Sequence, residues 1–424
     1  MIETKQARER AYLIGVQLPG TSAEALAEQM RELAELTRTA GGEVVASEVQ
    51  RRDQVEPGLF VGRGKVDEMR AKQAELRYDL VICNEDLSPR QQRNLEKELS
   101  LRVVDRTELI LDIFAQHART REGRLQVEAA QLRHLLPRLI GAYDYHRQMG
   151  GIGTRGGPGE QQIEVERRRI RRRMRDLEQE LAQVRVQREQ QRAARHRSDL
   201  VTVAIVGYTN AGKSTLINKL TDAGVRAEDA LFATLDPTTR RLRLPNDREV
   251  LLTDTVGFIQ KLPTDLVAAF RATLEEVTFS DVVLHVVDAA APAAQEQATT
   301  VDEILAELGA AEKPRVVAMN KVDLLGPSTF RRVMQAFGER YPTLVPISAL
   351  NGTGLDALGD AISAATAGRY VDVELLIPYG REGVLQELRQ YGGLETVEYT
   401  ERGTYARGRA PRELAHRFRP YATD

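Results

Sequence analysis

The chain has 424 residues, a formal net charge of −2 and one cysteine, Cys83. This length exceeds what one hydrophobic core usually organises, so we expect two to four domains. A near-neutral chain has no overall attraction for nucleic acid, and a single cysteine excludes an internal disulfide. The sequence contains neither a signal-like N-terminus nor a long apolar run. We therefore expect a soluble cytoplasmic protein without a membrane span.

Strand-like and helix-like patterns alternate along the first part of the chain, from about residue 8 to 115. Such alternation predicts a small, largely parallel sheet with helices on its faces. Ser22 is a candidate N-cap for the first helix. The run Gly62-Arg63-Gly64-Lys65 is too short for a phosphate loop, and we interpret it as a turn. We expect strands at residues 11–18, 44–49, 80–83 and 102–104, and further helices at 65–76 and 89–99.

Two long helical patterns follow, on either side of a glycine-rich loop at residues 150–159. Leucines share one face of the first pattern, and heptad-like spacing marks the second. These apolar positions are Leu125, Leu132, Leu135 and Leu139, then Ile163, Ile170, Met174, Leu177, Leu181 and Val184. The pattern predicts an antiparallel helical hairpin with a flexible tip.

Seven arginines surround the apolar positions of the second helix within residues 167–175. Guanidinium groups suit phosphate contacts, so this helix is a candidate RNA-binding face. The nearby acids Glu164, Glu166, Asp176 and Glu178 leave an ordinary solvated face as the alternative. The adjoining loop carries Arg155 and has no acid before Glu160, which favours RNA.

A phosphate-binding motif follows an apolar strand-like run at residues 201–206. The motif is Gly207-Tyr208-Thr209-Asn210-Ala211-Gly212-Lys213-Ser214, and it leads through Thr215 into a helical pattern. It matches the P-loop pattern G-x-x-x-x-G-K-[ST], in which backbone N–H groups surround phosphate oxygens. Lys213 is expected to reach the β- and γ-phosphates, and Ser214 to ligate Mg²⁺. The alternative, a glycine-rich turn before a helix, does not explain the full motif.

Two later segments predict the base that the site binds. A strand-like run delivers Asn320-Lys321-Val322-Asp323, the N-K-x-D pattern of guanine-nucleotide-binding proteins. Asp323 would accept hydrogen bonds from guanine N–H groups that adenine lacks, and the Lys321 stem would cover the base. Ser348-Ala349-Leu350 follows another strand and resembles the loop that closes over guanine. GTP and GDP are therefore the expected ligands.

Two switch segments lie between the P-loop and the base motif. Asp254-Thr255-Val256-Gly257 resembles D-x-x-G, whose aspartate holds Mg²⁺ and whose glycine meets the γ-phosphate. Phe232-Ala233-Thr234-Leu235-Asp236 begins the other switch, which continues to Arg240. Thr234 is the predicted Mg²⁺ ligand there, and Thr238 is the alternative. Lys213, Thr234 and Gly257 are the residues expected to act on the γ-phosphate during hydrolysis.

Phe258 occupies the position that follows D-T-V-G, where Ras-like enzymes carry a water-orienting glutamine. An aromatic side chain cannot orient water, so we expect slow intrinsic hydrolysis. A partner could supply the missing group. Alternatively, Asn210 could hold a monovalent cation such as K⁺, although it could equally stabilise the loop.

The last part of the chain predicts a small α+β tail, with a strand at 370–378, a helix at 382–391 and one or two strands at 396–405. The fold class is thus a multidomain α/β protein with a helical hairpin. The predicted domains are residues 1–118 (N-terminal α/β), 119–198 (helical hairpin), 199–368 (GTPase domain) and 369–424 (small C-terminal α+β).

The sequence FATLDPTTR, together with DTVGF, the arginine-rich helix and the loop GIGTRGGPGE, resembles the HflX family of ribosome-associated GTPases. The resemblance covers nearly the whole chain. It implies binding to the 50S subunit and its rRNA through the hairpin, residues 143–197. It also implies action on ribosomes, such as splitting or rescue under stress. We expect the protein to act as a monomer.

Two other functions remain open from the residues. The chain could be a GTP-binding assembly factor for the large subunit with little hydrolysis. A metabolic ATPase or kinase is disfavoured by the N-K-x-D motif. The ratio of the hydrolysis rates with and without 50S subunits would separate the first alternative from a ribosome-stimulated GTPase.

Overall fold

A computed structural model of the chain describes residues 8–149, 158–196, 200–221, 231–232, 238–245, 248–260, 274–412 and 414–423. It separates into two compact units. Unit 1 comprises Met1–Val184, Ala230–Phe232 and Leu262–Phe270, and unit 2 comprises Arg185–Asp229, Ala233–Lys261 and Arg271–Asp424. This division does not test the four predicted domain boundaries, which stay a prediction.

Unit 1 contains a four-stranded parallel sheet with strand order β2-β1-β3-β4. The largely parallel sheet expected from the alternating pattern is confirmed. The sheet core includes Tyr12, Ile14 and the buried thiol of Cys83. The elements are β1 (Arg10–Gln17), α1 (Ala23–Thr39), β2 (Glu43–Arg51), α2 (Arg63–Leu76), β3 (Leu80–Cys83), α3 (Pro89–Leu99), β4 (Arg102–Val104) and α4 (Arg106–His117).

Local capping explains where the helices of unit 1 begin. The Ser22 hydroxyl accepts a hydrogen bond from the Ala25 N–H, which confirms Ser22 as the N-cap of α1. The interpretation of residues 62–65 as a turn is wrong. Gly62 is the N-cap of α2, and residues 63–65 form its first turn. The pattern was misleading because α2 has no side-chain cap and buries only Val66 and Met69.

The two long helices of the predicted hairpin are α5 (Arg121–Met149) and α6 (Pro158–His196). A buried cluster of Leu125, Ala129 and Leu177 joins them, with Leu132, Leu181 and Val184 packed at its edge. Leu135 is exposed and therefore does not belong to this seam. Residues 150–157 of the predicted loop lie outside the described residues. Its last two residues belong to α6, which starts at a proline, a residue favoured in the first helical turn.

Unit 2 contains a six-stranded sheet with order β10-β9-β8-β5-β7-β6, parallel except for the edge strand β6. Apart from the two edge strands, its strands are largely buried, as expected where helices cover both faces of a parallel sheet. The strands are β5 (Val201–Gly207), β6 (Thr239–Arg243), β7 (Glu249–Asp254), β8 (Val282–Asp288), β9 (Arg315–Asn320) and β10 (Leu344–Pro346). The helices are α7 (Lys213–Thr221), α8 (Ala294–Glu307), α9 (Pro327–Gly338) and α10 (Leu355–Ala365).

The C-terminal part of unit 2 is a three-stranded antiparallel sheet with order β11-β13-β12. The region predicted to form one or two strands forms two. The elements are β11 (Tyr370–Ile377), α11 (Glu382–Tyr391), β12 (Gly393–Thr400), β13 (Gly403–Pro411) and α12 (Ala415–Phe418). The multidomain α/β fold class is confirmed. Within the described ranges, no helix has both the length and the apolar character that crossing a bilayer requires.

Candidate nucleotide site

The P-loop connects the end of β5 to the start of α7. Its shape depends on Gly212, which has φ +92°, and a Cβ there would lie 2.2 Å from the Asn320 amide nitrogen. The Lys213 ammonium closes the loop by donating hydrogen bonds to the carbonyl oxygens of Gly207 (2.9 Å) and Tyr208 (2.8 Å). The predicted strand–loop–helix arrangement is therefore present, with Ser214 directly after the lysine in α7.

The Lys213 side chain is buried, and burial lowers the pKa of its ammonium to about 8. The negative charge of Asp254 opposes this shift. A buried cation gains stability from an arriving anion. The electrostatics of this part of the loop therefore favour the binding of phosphate.

The D-T-V-G segment leaves the carboxyl end of β7 beside the P-loop. Gly257 approaches so closely that a Cβ would lie 2.9 Å from both Lys213 Nζ and Thr209 Cγ2. Only glycine fits here without displacing these groups, and its backbone lies next to the ammonium. Asp254 and Val256 are buried, and the Thr255 hydroxyl donates to the Ile205 carbonyl at 2.6 Å. That hydroxyl is thus engaged with the sheet.

Three hydrogen bonds join the P-loop to the segment after Gly257. The Thr209 N–H donates to the Phe258 carbonyl (2.7 Å), and the Phe258 N–H donates to the Gly207 carbonyl (3.1 Å). The Gln260 N–H donates to the Tyr208 hydroxyl at 2.7 Å. Sequence reasoning missed this connection, since Tyr208 occupies a variable position of the P-loop pattern and Gln260 lies beyond D-T-V-G. The Phe258 side chain is only 1% exposed, so it packs inside the domain.

Asn320 connects the base motif to two other loops. Its amide nitrogen donates to the Ala211 carbonyl in the P-loop at 2.8 Å, and its amide oxygen accepts from the Ala349 N–H at 2.9 Å. The side chain is buried, so both hydrogen bonds are shielded from water. Asn320 therefore fixes the relative position of the P-loop and the Ser348-Ala349-Leu350 loop.

Lys321 and Asp323, the residues predicted to contact the base, directly follow the carboxyl end of β9. Asp323 is exposed on a short 3-10 turn, Val322–Leu324. Lys321 has φ +63°, and its ammonium pairs with the Asp288 carboxylate at 2.7 Å. Sequence reasoning missed Asp288, although its position as an acid at the end of an apolar strand was a signal that could have identified it.

The loop after β10 is linked to the base motif by the hydrogen bond from the Ala349 N–H to Asn320. The Ser348 hydroxyl accepts from the Asn351 N–H at 3.2 Å, which stabilises the turn. Leu350 is 73% exposed. An exposed leucine at the tip of an ordered turn is available to cover an apolar ring face.

The first switch is only partly described. Ala233, Thr234, Leu235 and Asp236 lie outside the described residues, so the placement of the predicted Mg²⁺ ligand stays a prediction. Phe232 groups with unit 1, where its ring packs edge-on against Phe114 with centroids 4.7 Å apart. The alternative ligand, Thr238, is exposed, and its carbonyl accepts from the Asp254 N–H at 3.0 Å.

Family models match three consecutive parts of the chain. Residues 27–115 match a model described as GTP-binding GTPase N-terminal, and residues 117–195 match GTP-binding GTPase Middle Region. Residues 202–321, which include the P-loop and the N-K-x-D motif, match a model described as 50S ribosome-binding GTPase.

Full-length relatives and a solved structure agree with these matches. GTPase HflX of Lacrimispora saccharolytica is 45% identical over 98% of this chain and 96% of its own. GTPase HflX of Escherichia coli K12 is 44% identical over 88% of this chain and 86% of its own. A crystal structure of SsGBP with GDP is 27% identical, with TM-score 0.50, and covers 84% of this chain and 98% of that one. The chain belongs to the HflX family of GTPases.

Proposed function

We propose that this GTPase binds the 50S ribosomal subunit in its GTP form and splits or rescues ribosomes under stress. It acts in the cytoplasm as a monomer. Its isolated form hydrolyses GTP slowly, and the ribosome stimulates the reaction. The observation that carries the proposal is the combination of a 50S ribosome-binding GTPase match over residues 202–321 with an arginine-rich helix preceding it in the chain.

Lys213 is proposed to bind the β- and γ-phosphates because its buried ammonium lies against Gly257. Ser214 and Asp254, together with Thr234, are the proposed Mg²⁺ ligands. Hydroxyl and carboxylate oxygens suit this hard cation, which would neutralise charge between the phosphates. The negative charge of Asp254 raises the pKa of Lys213 against the lowering by burial, which supports a carboxylate close to the proposed phosphate position.

A monovalent cation is a further proposal at Asn210. This side chain is exposed and its backbone is left-handed, with φ +59°. An exposed amide oxygen on the P-loop can ligate K⁺ beside the phosphates. Replacement of K⁺ by Na⁺ is then expected to slow hydrolysis.

The proposed guanine site consists of Asp323 for the base N–H groups, with Lys321 and Leu350 over the ring faces. Asn320 supports it through the two buried hydrogen bonds to the neighbouring loops. Because these contacts come from ordered turns, little reorganisation is needed when the base binds.

The proposed RNA contact is the outer face of α6. Three of the seven arginines pair with acids of the protein. Arg173 forms two hydrogen bonds with Glu128 (2.6 and 2.7 Å), and Arg167 and Arg168 pair with Glu164 at 3.1 and 3.7 Å. The other four are exposed, namely Arg169, Arg171, Arg172 and Arg175. Residues 171 and 172 are four and three positions before 175, so these three follow one side of the helix. This arrangement supports binding to a phosphate backbone by residues 143–197.

The proposed function is tested by sedimentation with 50S and 70S particles in the presence of a non-hydrolysable GTP analogue or GDP. We expect co-sedimentation with 50S subunits in the analogue state, weaker binding in the GDP state, and dissociation of 70S particles. Addition of 50S subunits is expected to raise the hydrolysis rate, because Phe258 provides no group that can orient water. A fast enzyme unaffected by 50S subunits would contradict this expectation.

The alternative, an assembly factor with little hydrolysis, predicts 50S binding without rate stimulation and without 70S dissociation. No observation here favours it over the GTPase that acts on ribosomes. The same sedimentation and rate measurements separate the two.

Substitution of Arg171 and Arg172 by glutamine is expected to weaken 50S binding. Each arginine that contacts phosphate displaces counterions, so the slope of log K against log salt should fall by about two. GTP affinity of the free protein should stay unchanged, because neither residue belongs to the P-loop or the base motif.

The matched control is Arg331→Gln with Arg332→Gln, a second adjacent pair of exposed arginines, on α9. Both double variants lose the same formal charge. Equal sedimentation curves for the two variants across a salt series would mean that the α6 arginines are an ordinary solvated face.

A further inference from the structure

Phe258 supplies no polar group beside the expected position of the γ-phosphate. Thr209, in the P-loop, has a side-chain hydroxyl close enough to this position to be a candidate. It is only 6% exposed, and its hydroxyl oxygen is buried. That oxygen has no hydrogen-bond partner in the described part of the chain. A buried hydroxyl without a partner is costly and indicates a missing ligand or a functional role.

The Thr209 side chain lies beside the expected position of the γ-phosphate. A Cβ atom added to Gly257 would lie 2.9 Å from both Thr209 Cγ2 and Lys213 Nζ. The threonine thus flanks both the ammonium proposed to hold the phosphate and the glycine proposed to meet it.

The backbone of Thr209 is fixed independently of its side chain. Its N–H donates to the Phe258 carbonyl at 2.7 Å, within the three hydrogen bonds that join the P-loop to residues 258–260. Rotation about Cα–Cβ alone can therefore turn the hydroxyl towards the phosphate. A hydroxyl held on a fixed backbone loses little entropy when it forms that contact.

We propose that Thr209 is a catalytic residue whose hydroxyl donates a hydrogen bond to a γ-phosphate oxygen as charge shifts in the transition state. The proposal rests on the proposed phosphate site. In the reaction, the oxygen of a water molecule bonds to the γ-phosphorus. The bond between that phosphorus and the β–γ bridging oxygen breaks, and its electron pair stays on the β-phosphate. The water proton passes to the released phosphate, so Thr209 itself gains and loses no proton.

A structural role for threonine predicts a different response to substitution. Its methyl group contacts Gly257, and a packing role would depend on that methyl group alone. Valine keeps the branched shape and removes the hydroxyl, whereas serine keeps the hydroxyl and removes the methyl group. The two variants therefore separate catalysis from packing.

The test uses the full-length protein with Thr209→Val and Thr209→Ser. Single-turnover GTP hydrolysis, GDP affinity, and affinity for GDP with aluminium fluoride, which mimics the transition state, are measured in K⁺ buffer. The valine variant is expected to hydrolyse GTP on the order of a hundredfold more slowly, as when one transition-state donor is removed. Its affinity for GDP with aluminium fluoride should fall, while its GDP affinity stays at the wild-type value. The serine variant should resemble the wild type in all three measurements.

Wild-type hydrolysis by the valine variant, or equal loss in both variants, would overturn the proposal. Unchanged GDP affinity shows that a slow variant is folded. Lys213→Ala is measured alongside because it tests the phosphate site itself. If Lys213→Ala binds and hydrolyses GTP normally, the proposed site is wrong. If Lys213→Ala fails and Thr209→Val is fully active, only the role of Thr209 is wrong.

Discussion

Asp323→Asn is expected to change the base preference of the protein from guanine to xanthine. An aspartate accepts hydrogen bonds from the N1–H and the exocyclic amine of guanine. An asparagine presents an N–H donor instead, which suits the carbonyl group that xanthine carries in place of that amine. Sites built around a substrate N–H discriminate by roughly 10⁴-fold or more. The substitution should therefore change the ratio of the affinities for guanine and xanthine nucleotides by a factor of that order.

The measurement is a titration of wild type and variant with GTP and xanthosine triphosphate. Asp360→Asn, a change of the same type at an exposed position on α10, serves as the control and should bind GTP normally. If Asp323→Asn keeps wild-type GTP affinity, Asp323 does not contact the base.

Asp323 is a cleaner probe of base recognition than Asn320, three residues earlier. Asn320 is buried, and its amide satisfies the Ala211 carbonyl and the Ala349 N–H. Removing it would leave two buried backbone groups unpaired, at about 1–3 kcal/mol each, and would release the neighbouring loops. Asp323 is exposed on its turn. A loss of affinity at Asp323 can therefore be assigned to the base contact.

The sequence predicted the elements of the site because each motif follows an apolar strand. Four strands of one parallel sheet deliver their carboxyl ends to the same edge, and ligands bind at that edge. The strands β5, β7, β9 and β10 therefore bring Lys213, Asp254, Asn320 and Ser348 to one side of the sheet. Periodicity and motif spacing together were sufficient for this level of prediction.

Contacts that depend on tertiary packing could not be predicted. The hydrogen bond from the Gln260 N–H to the Tyr208 hydroxyl joins residues 52 apart in sequence and uses a backbone donor, which every residue type carries. The Lys321–Asp288 ion pair likewise joins two strand ends that become neighbours only in the folded sheet. Helix α4 was missed because one residue, Asp105, separates it from β4. That residue caps the helix through a hydrogen bond from the Glu108 N–H at 2.8 Å.

Lys213→Ala is expected to abolish productive binding of Mg-GTP. The ammonium is buried, closes the P-loop through two carbonyl oxygens and interacts with the negative charge of Asp254. Truncation of one partner of a buried charge pair costs about 2–5 kcal/mol, or roughly thirtyfold to several thousandfold in affinity. Ser214→Ala should likewise abolish productive binding of Mg-GTP, because it removes the hydroxyl proposed to ligate Mg²⁺.

Lys219→Ala provides the matched control for Lys213→Ala. Lys219 lies on the same helix, α7, but its side chain is exposed. The Lys219→Ala variant should bind GTP like the wild type. Mg²⁺-dependent GTP hydrolysis retained by Lys213→Ala would refute the assignment of the phosphate site.

The buried position of Lys213 also predicts how nucleotide affinity depends on pH. Burial lowers the pKa of the free site to about 8, so the ammonium loses its proton as the pH rises through that value. Bound phosphate stabilises the charged form and raises the pKa, and binding above about pH 8 must therefore take up a proton. Affinity should fall by up to about tenfold per pH unit above that value. Calorimetry in buffers of different ionisation enthalpy measures the uptake directly. Binding without proton uptake near pH 8 would show that Lys213 is not the group that meets the phosphates.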